Sequence, residues 1–431
     1  MIEAAPIRTI GFREHSQRRA LAGEVHARPY ETLSAPVRAS HLAQVGASPD
    51  DERAHLAVLL AGHGAEPPGD GAAYLVRDLG GLRLRWERHS EFSTYTALRF
   101  DPFETPFAAG ALDLLPADWL ESLPGELLTG VHVAVAGDLP DDLGPLFDGN
   151  PLIGSRVLGG AGEAWTDFRL HADGFGRFAV RDLGLTRGQT GRLVQRLLEI
   201  ETYRMMALLA FPLARKAAGE IGRVDRDLGG IVTQLADPAV SQNDRELLEH
   251  LTRLAAEAEH LDAATSFRLS AAKAYHAIVT TRIAELREDR IPGIQTIAEF
   301  AERRLGPAMK TCESVSERQQ LLSTRVSRAG DLLRTRVDIA LEEKNRDLLN
   351  SMNRRAELQL RLQETVEGLS VVAISYYLLG LLGALAKGLK SAGLPVNVDL
   401  AALVGLPVVA GAVWLGVRRL RKVIVHKDGE T

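Results

Sequence analysis

Two stretches near the C-terminal end, Leu369 to Ala386 and Leu400 to Val417, each run without a single charged side chain. Hydrocarbon about 30 Å thick needs roughly 20 apolar helical residues at about 1.5 Å of rise each. With Gly368 and amphipathic flanks, either run is long enough, and the pair predicts a membrane hairpin. A buried hairpin in a large soluble core is the competing reading, because Gly380, Gly383, Gly405, Pro407 and Gly411 also suit close packing. The flanking charge favours the membrane. Arg354, Arg355 and Arg361 precede the first run and Arg418, Arg419, Arg421 and Lys422 follow the second, whereas the connection from Lys387 to Asp399 carries only Lys387 and Lys390. Positive residues gather on the side that holds both termini, so both are expected in the cytoplasm. The N-terminal string MIEAAPIRTIGFREHSQRR has no apolar core of a secretory signal, and the region before the hairpin is expected to stay untranslocated.

Cys312 is the only cysteine, which rules out an intrachain disulfide and suits a reducing compartment; the residue reads as a packed core thiol. A formal net charge of -5 gives no basic field over the molecule and argues against nucleic acid as a partner. The arginines and lysines clustered beside the hairpin fit the anionic headgroups of a lipid bilayer.

The fold class is α+β. Residues 1–185 predict a mixed α/β sheet domain: Tyr74 to Arg77, Leu82 to Glu87 and Thr94 to Phe100 alternate apolar with polar side chains, with Gly80 and Gly81 as a hairpin turn. Val131 to Ala136 reads as a further strand, and Trp165 to Leu170 and Arg177 to Val180 as a hairpin around Asp173 and Gly174. His55 to Leu60 and Trp119 to Leu128 read as helices. Residues 186–367 predict an all-α region, with Leu193, Leu197 and Ile200 in one amphipathic helix and Leu247, Leu251, Leu254 and Leu261 in a later one. Pro212, Pro238, Pro292 and Pro307 are expected bends or breaks. From about 316 to 367 no proline occurs, and Val326, Leu333, Val337, Leu341, Leu348 and Met352 recur at coiled-coil spacing, which predicts a long stalk helix leading into the hairpin. Residues 368–431 hold the hairpin, with spans at 369–386 and 400–417, and a basic tail. The string Arg-Asp-Leu-Gly occurs at Arg77, Arg181 and Arg226 and reads as recurring turn chemistry without a repeat architecture.

Candidate chemistry is sparse. Glu24, His26 and Arg28, followed by Pro29, Pro36, Arg38 and His41, place an imidazole beside acid and base, which suits acid–base work, an anion or a metal; the two prolines equally suit an extended segment tying a loop to the sheet. Glu87, His89 and Glu91 share one side of a strand by the two-residue period, and with His26 or His41 they present a ligand set for a divalent cation, or else the solvated face of a strand. Gly159, Gly160 and Gly162 lack the Lys-Ser or Lys-Thr of a phosphate loop. His250, Glu257 and His260 fall on different faces of their helix. No nucleophile triad, paired-cysteine or dinucleotide motif is present, so no enzyme is predicted, and no cofactor beyond that divalent cation.

Four strings together look familiar: EVHARPYETL from Glu24, RWERHSEFSTYT from Arg85, AAKAYHAIVTTRIAELRE from Ala271 and SMNRRAELQLRLQETVEGLSVVAISYY from Ser351. On them the chain resembles a bacterial family of membrane-anchored proteins known as a domain of unknown function, which implies an inner-membrane protein and assigns no catalytic residues. The layout of sheet domain, stalk helix, two spans and basic tail is also similar to that of CorA-type magnesium channels, which implies a homo-oligomer, a pentamer in that case. No Gly-Met-Asn follows the first span, where Gly383-Ala384-Leu385-Ala386-Lys387 stands instead, and Lys387 and Lys390 occupy the loop. Two functions are therefore expected: an oligomeric ion channel or transporter without that selectivity motif, or a membrane-anchored cytoplasmic scaffold or sensor. On the first, steps of three and four along the first span place Gln363, Glu367, Ser370, Ile374 and Tyr377 as pore-lining candidates.

Overall fold

The computed structural model describes residues 15–24, 29–236, 244–392 and 398–427. The chain divides into two compact units, Met1–Gly330 and Asp331–Thr431. In the first unit a short helix α1 (Arg18–Glu24) precedes β1 (Val37–Val45), α2 (Pro49–Gly62), β2 (Tyr74–Asp78), β3 (Leu82–Arg88), β4 (Phe92–Arg99), α3 (Ala117–Glu121) and β5 (Glu126–Ala136). Then come β6 (Ile153–Val157), β7 (Gly162–Thr166) and β8 (Gly176–Asp182), the helices α4 (Arg187–Leu208), α5 (Ala210–Ala236) and α6 (Asp244–Leu286), and the two-residue β9 (Asp289–Arg290). Helix α7 (Ile297–Ser391) begins in the first unit and ends in the second, which also holds α8 (Val398–Lys427).

Among the described residues the strands form one mixed sheet in the order β2-β3-β4-β1-β5-β8-β7-β6-β9, antiparallel throughout except for β5 beside β8. Gly80 and Gly81, both at positive φ, make the β2–β3 turn that the alternation predicts. Gly159 and Gly160 do the same between β6 and β7, so the glycine-rich string is a hairpin turn. Two of the three Arg-Asp-Leu-Gly strings end β2 and β8, and the third lies inside α5.

Three expectations are corrected. Val37–Val45, read as part of an extended turning segment, is the strand between β4 and β5, with all but its last residue buried. Its polar side chains hid it, and Arg38, Ser40 and His41 each have a partner: Arg38, for one, donates to both carboxylate oxygens of Asp101 at 2.9 Å and to the Ala109 carbonyl at 2.8 Å. The helix expected over Trp119 to Leu128 stops at Glu121, because Pro124 and the positive-φ Gly125 intervene, and Glu126 starts β5. Pro307 does not break α7. The flanking side chains Leu305, Met309, Cys312 and Val315 are buried, and that packing offsets the lost backbone hydrogen bond. Pro238 lies outside the described residues.

The sheet is covered on both faces. On one, Leu42, Leu84, Trp86 and Tyr95 pack with Leu56 and Leu60 of α2. Helix α2 starts where Ser48 accepts the Asp51 N–H at 3.2 Å and Pro49 sits in the first turn. On the other face lies α4, started by a capping box in which Thr186 and Gln189 satisfy each other's backbone N–H. Leu193, Leu197 and Ile200 of α4 and Leu247, Leu251, Leu254 and Leu261 of α6 are buried, as the helical periodicity predicts.

In the second unit the two apolar runs are helical, in α7 and α8, and both helices are long and apolar enough to cross a membrane. The side chains of Leu381, Leu403, Tyr376 and Tyr377 are 68–76 % exposed. Along α7, Val326 and Leu333 of the coiled-coil spacing are buried, whereas Val337, Leu341, Leu348 and Met352 are exposed.

Candidate functional site

Strand register brings together side chains that are far apart in sequence. Thr96 of β4 stands opposite Arg85 of β3 and opposite His41 of β1, so the three form one row on a single sheet face. One pleat along, Glu87 faces Thr94. Helix α4 lies over this face and adds Val194, Gln195, Leu198, Glu199, Thr202 and Tyr203. The space between encloses about 240 Å³. Glu31 and Leu33 close one side. Their segment lies so tightly on α4 that a Cβ at Gly191 would come within 1.6 Å of the Glu31 carbonyl oxygen. The Leu33 N–H also donates to the Arg187 carbonyl at 3.0 Å.

Buried polar groups set the chemistry of this cavity. His41 bridges two hydroxyls, with Nδ1 2.7 Å from Thr96 Oγ1 and Nε2 3.1 Å from Thr202 Oγ1. Burial, reinforced by the positive charges of Arg85 and His89, pushes its pKa down to about 3, so the ring is neutral at physiological pH. A neutral imidazole has one donor and one acceptor nitrogen. One threonine therefore donates to the ring and keeps lone pairs free, while the other accepts from it and keeps its own O–H free. Arg85, 6 % exposed, gives one Nη2 hydrogen bond to Glu87 Oε1 at 2.9 Å and lies 5.6 Å from the Tyr74 ring centre. Its buried Nε has no hydrogen-bond partner among the described residues. The other carboxylates of the lining have their own arginines: Glu31 pairs with Arg83 at 3.0 Å, and Glu199 pairs with Arg282 and accepts from Gln195 at 2.7 Å.

Of the polar residues singled out in the sequence, Glu87, His89 and His41 line this one cavity. Glu91 does not. The two-residue period ends with β3 at Arg88, and Glu91 turns in the β3–β4 connection toward α6, where it accepts from Arg268 at 3.1 Å and from the Tyr275 hydroxyl at 2.7 Å. His89 stacks on Phe92 at 4.4 Å. Among the described residues no group of three or more His, Cys, Asp or Glu is placed to hold a metal ion. His26 and Arg28 lie outside the described residues. Glu24 ends α1, and its side chain is likewise outside them. Arg85, Thr96 and Thr202 carry no sequence signal of their own, since strand pairing and helix docking alone make them neighbours.

Other polar clusters serve the fold. Ser40 Oγ lies 2.7 Å from His132 Nδ1, and Asp173 is 3.9 Å from Nε2, but the Ser40 oxygen is buried and already accepts the Ala111 N–H at 2.9 Å. His171 stands between Asp148 at 2.7 Å and the buried Asp167 at 3.1 Å, fixing the connection from β7 to β8. Glu257 is taken up by Arg223 at 2.7 Å. Cys312 is buried in α7, and desolvation raises its thiol pKa, which suits a core thiol.

In the second unit, Leu379, Leu382, Gly383 and Ala386 of α7 face Ala402, Gly405 and Val408 of α8 across an apolar hollow. The stripe of pore-lining candidates lies elsewhere on α7: Gln363, Ser370, Ile374 and Tyr377 are exposed, and Glu367 is half-buried. The Ser370 hydroxyl donates to the Val366 carbonyl at 2.8 Å.

A search of the curated proteins finds no match, and the expected resemblance to CorA-type channels has no support from it. A family model matches residues 13–424, nearly the whole chain, and the chain belongs to that family, described as protein of unknown function (DUF3422).

Proposed function

We propose that this protein is a membrane-tethered sensor: α8 and the last part of α7 anchor it, and its sheet unit binds a small molecule on the cytoplasmic side. The carrying observation is the cavity between the sheet and α4, where His41, Arg85 and Glu87 converge under a helix. A partly enclosed space with a largely apolar lining and a few convergent polar groups is the form of a small-molecule site. The two apolar helices and the arginine asymmetry support the tether and a cytoplasmic side for the cavity. The exposed Val337, Leu341 and Leu348 support association of copies along α7. The test is thermal unfolding of the full-length protein in detergent against small carboxylates, amines, sugars and nucleosides. A ligand at 100 times its Kd stabilises by about 2.7 kcal/mol. Stabilisation by at least one class, lost when Leu198→Trp fills the cavity, is the expected result. No response to any class removes the reading.

An ion channel is the second reading, favoured by the side of α7 that carries Ser370, Ile374 and Tyr377 away from the hollow against α8. In a ring of copies Glu367 would sit at the cytoplasmic mouth, where a ring of carboxylates concentrates cations. Liposomes holding the purified protein would then pass cations, with lower cation preference in Glu367→Gln. Absence of flux for every tested ion leaves the sensor reading alone.

A further inference from the structure

We propose that the ligand of the cavity between the sheet and α4 is a small organic carboxylate that accepts from the Arg85 guanidinium while its apolar remainder lies along α4. This rests on the reading of the cavity as a ligand site. The guanidinium is fixed on three sides: β3 holds its backbone, Glu87 takes Nη2 at 2.9 Å, and the Tyr74 ring lies 5.6 Å away. What remains are Nη1, the second Nη2 hydrogen and Nε, of which Nε is buried and without an acceptor among the described residues. A buried donor left unmade is costly, so a partner oxygen arriving with a ligand and drawing on these donors recovers what the empty cavity forgoes.

Charge selects the kind of oxygen. Glu31 and Glu199 are held by Arg83 and Arg282, outside the lining, which leaves the Arg85–Glu87 pair as the charged groups that face the space without such outside partners. The guanidinium of that pair keeps donors that Glu87 does not use, and an anion is the oxygen carrier that gains most from them. The relay Thr96–His41–Thr202 adds one hydroxyl free to donate and one free to accept, which suits a carboxylate bearing a second polar group. Leu33, Leu98, Val194 and Leu198 give the lining its aliphatic part, and a volume of about 240 Å³ limits the ligand to a small one.

Full-length protein in detergent is titrated calorimetrically with acetate, isovalerate and phenylacetate, and with isovaleramide and isoamylamine as the neutral and cationic counterparts of isovalerate. A charge-assisted hydrogen bond predicts that isovalerate binds at least about 10-fold more tightly than isovaleramide, with isoamylamine weaker still. Arg85→Gln is expected to erase that preference. Because Arg85→Gln leaves Glu87 buried without its partner, the double variant Arg85→Gln with Glu87→Gln is measured beside it, and circular dichroism checks that both fold. Equal affinity for isovalerate and isovaleramide in the parent overturns the carboxylate assignment and leaves the ligand site standing, as does amine binding abolished by Leu198→Trp. No binding of any carboxylate also overturns it. Failure of all compound classes in the thermal screen, by contrast, removes the ligand site itself.

Discussion

The sheet unit and the helical hairpin are made of the same apolar residues put to opposite uses. In the first, Trp86, Leu84, Leu193 and Leu197 are fully buried against neighbours, and polar side chains on the sheet face are tied by hydrogen bonds. In the second, Leu381, Leu403 and Val408 are 64–75 % exposed although no charged residue lies within either run. An apolar surface left open in water is expensive at roughly 25 cal/mol per Å², whereas in hydrocarbon the same surface costs nothing. On the membrane reading proposed above, each unit is adapted to a different solvent, and burial within the chain is a measure of stability only in the first.

That difference is broken most severely by matched truncations. Trp86→Ala is expected to destabilise the sheet unit by about 3–5 kcal/mol, because it removes the largest fully buried side chain and leaves a cavity. Leu403→Ala, at a 75 % exposed position of α8, is expected to change stability in detergent by less than about 0.5 kcal/mol. Chemical unfolding followed by circular dichroism measures both, and similar losses would mean that α8 has a packed protein partner.

A second pair sharpens the first unit alone. Gly191→Ala would set a Cβ against the Glu31 carbonyl oxygen, and is expected to cost about 2–3 kcal/mol as the segment before β1 is pushed from α4. Gly219→Ala on the exposed side of α5 meets nothing within 4 Å and is expected to stabilise by about 0.5–1 kcal/mol. Thermal unfolding of the two variants in opposite directions is the expected outcome.

A further test concerns pH. His41 has a folded-state pKa near 3 against about 6.5 when unfolded, so between these values the unfolded chain takes a proton that the folded one refuses. Stability contributed by His41 is therefore complete above pH 6.5 and falls toward pH 3, by up to about 1.4 kcal/mol per pH unit. His55, His132 and His276 are shifted the same way by burial and add to the slope. His41→Gln is expected to flatten the fall between pH 6 and 4 without abolishing it, and an unchanged slope would place the His41 ring in water.

Periodicity made much of this architecture legible. The alternation in Leu82 to Glu87 and the paired glycines located a hairpin, and the spacing of Leu193, Leu197 and Ile200 located the face of α4 that packs. What failed was β1, because a strand covered on both faces can carry Arg38, Ser40 and His41 inward when each has a partner, and alternation then disappears. The site was half legible for a related reason. Glu87 lies on β3 and His89 follows its last residue directly, both lining the cavity, but the pairing of His41 with Thr96 and Thr202 depends on a neighbouring strand and on a helix 161 residues away. Glu91 was misplaced because a strand's period has no meaning beyond the strand's last residue.

The central claim is that the hairpin crosses a membrane and leaves the sheet unit in the cytoplasm. Single cysteines at Ser391, at the end of α7, and at the exposed Asp141 of the sheet unit, each in a Cys312→Ser background, report it through an impermeant maleimide applied to intact cells. The account predicts labelling of Ser391→Cys from outside and labelling of Asp141→Cys only after the cells are broken. Labelling of Asp141→Cys in intact cells, with Ser391→Cys protected, would contradict it.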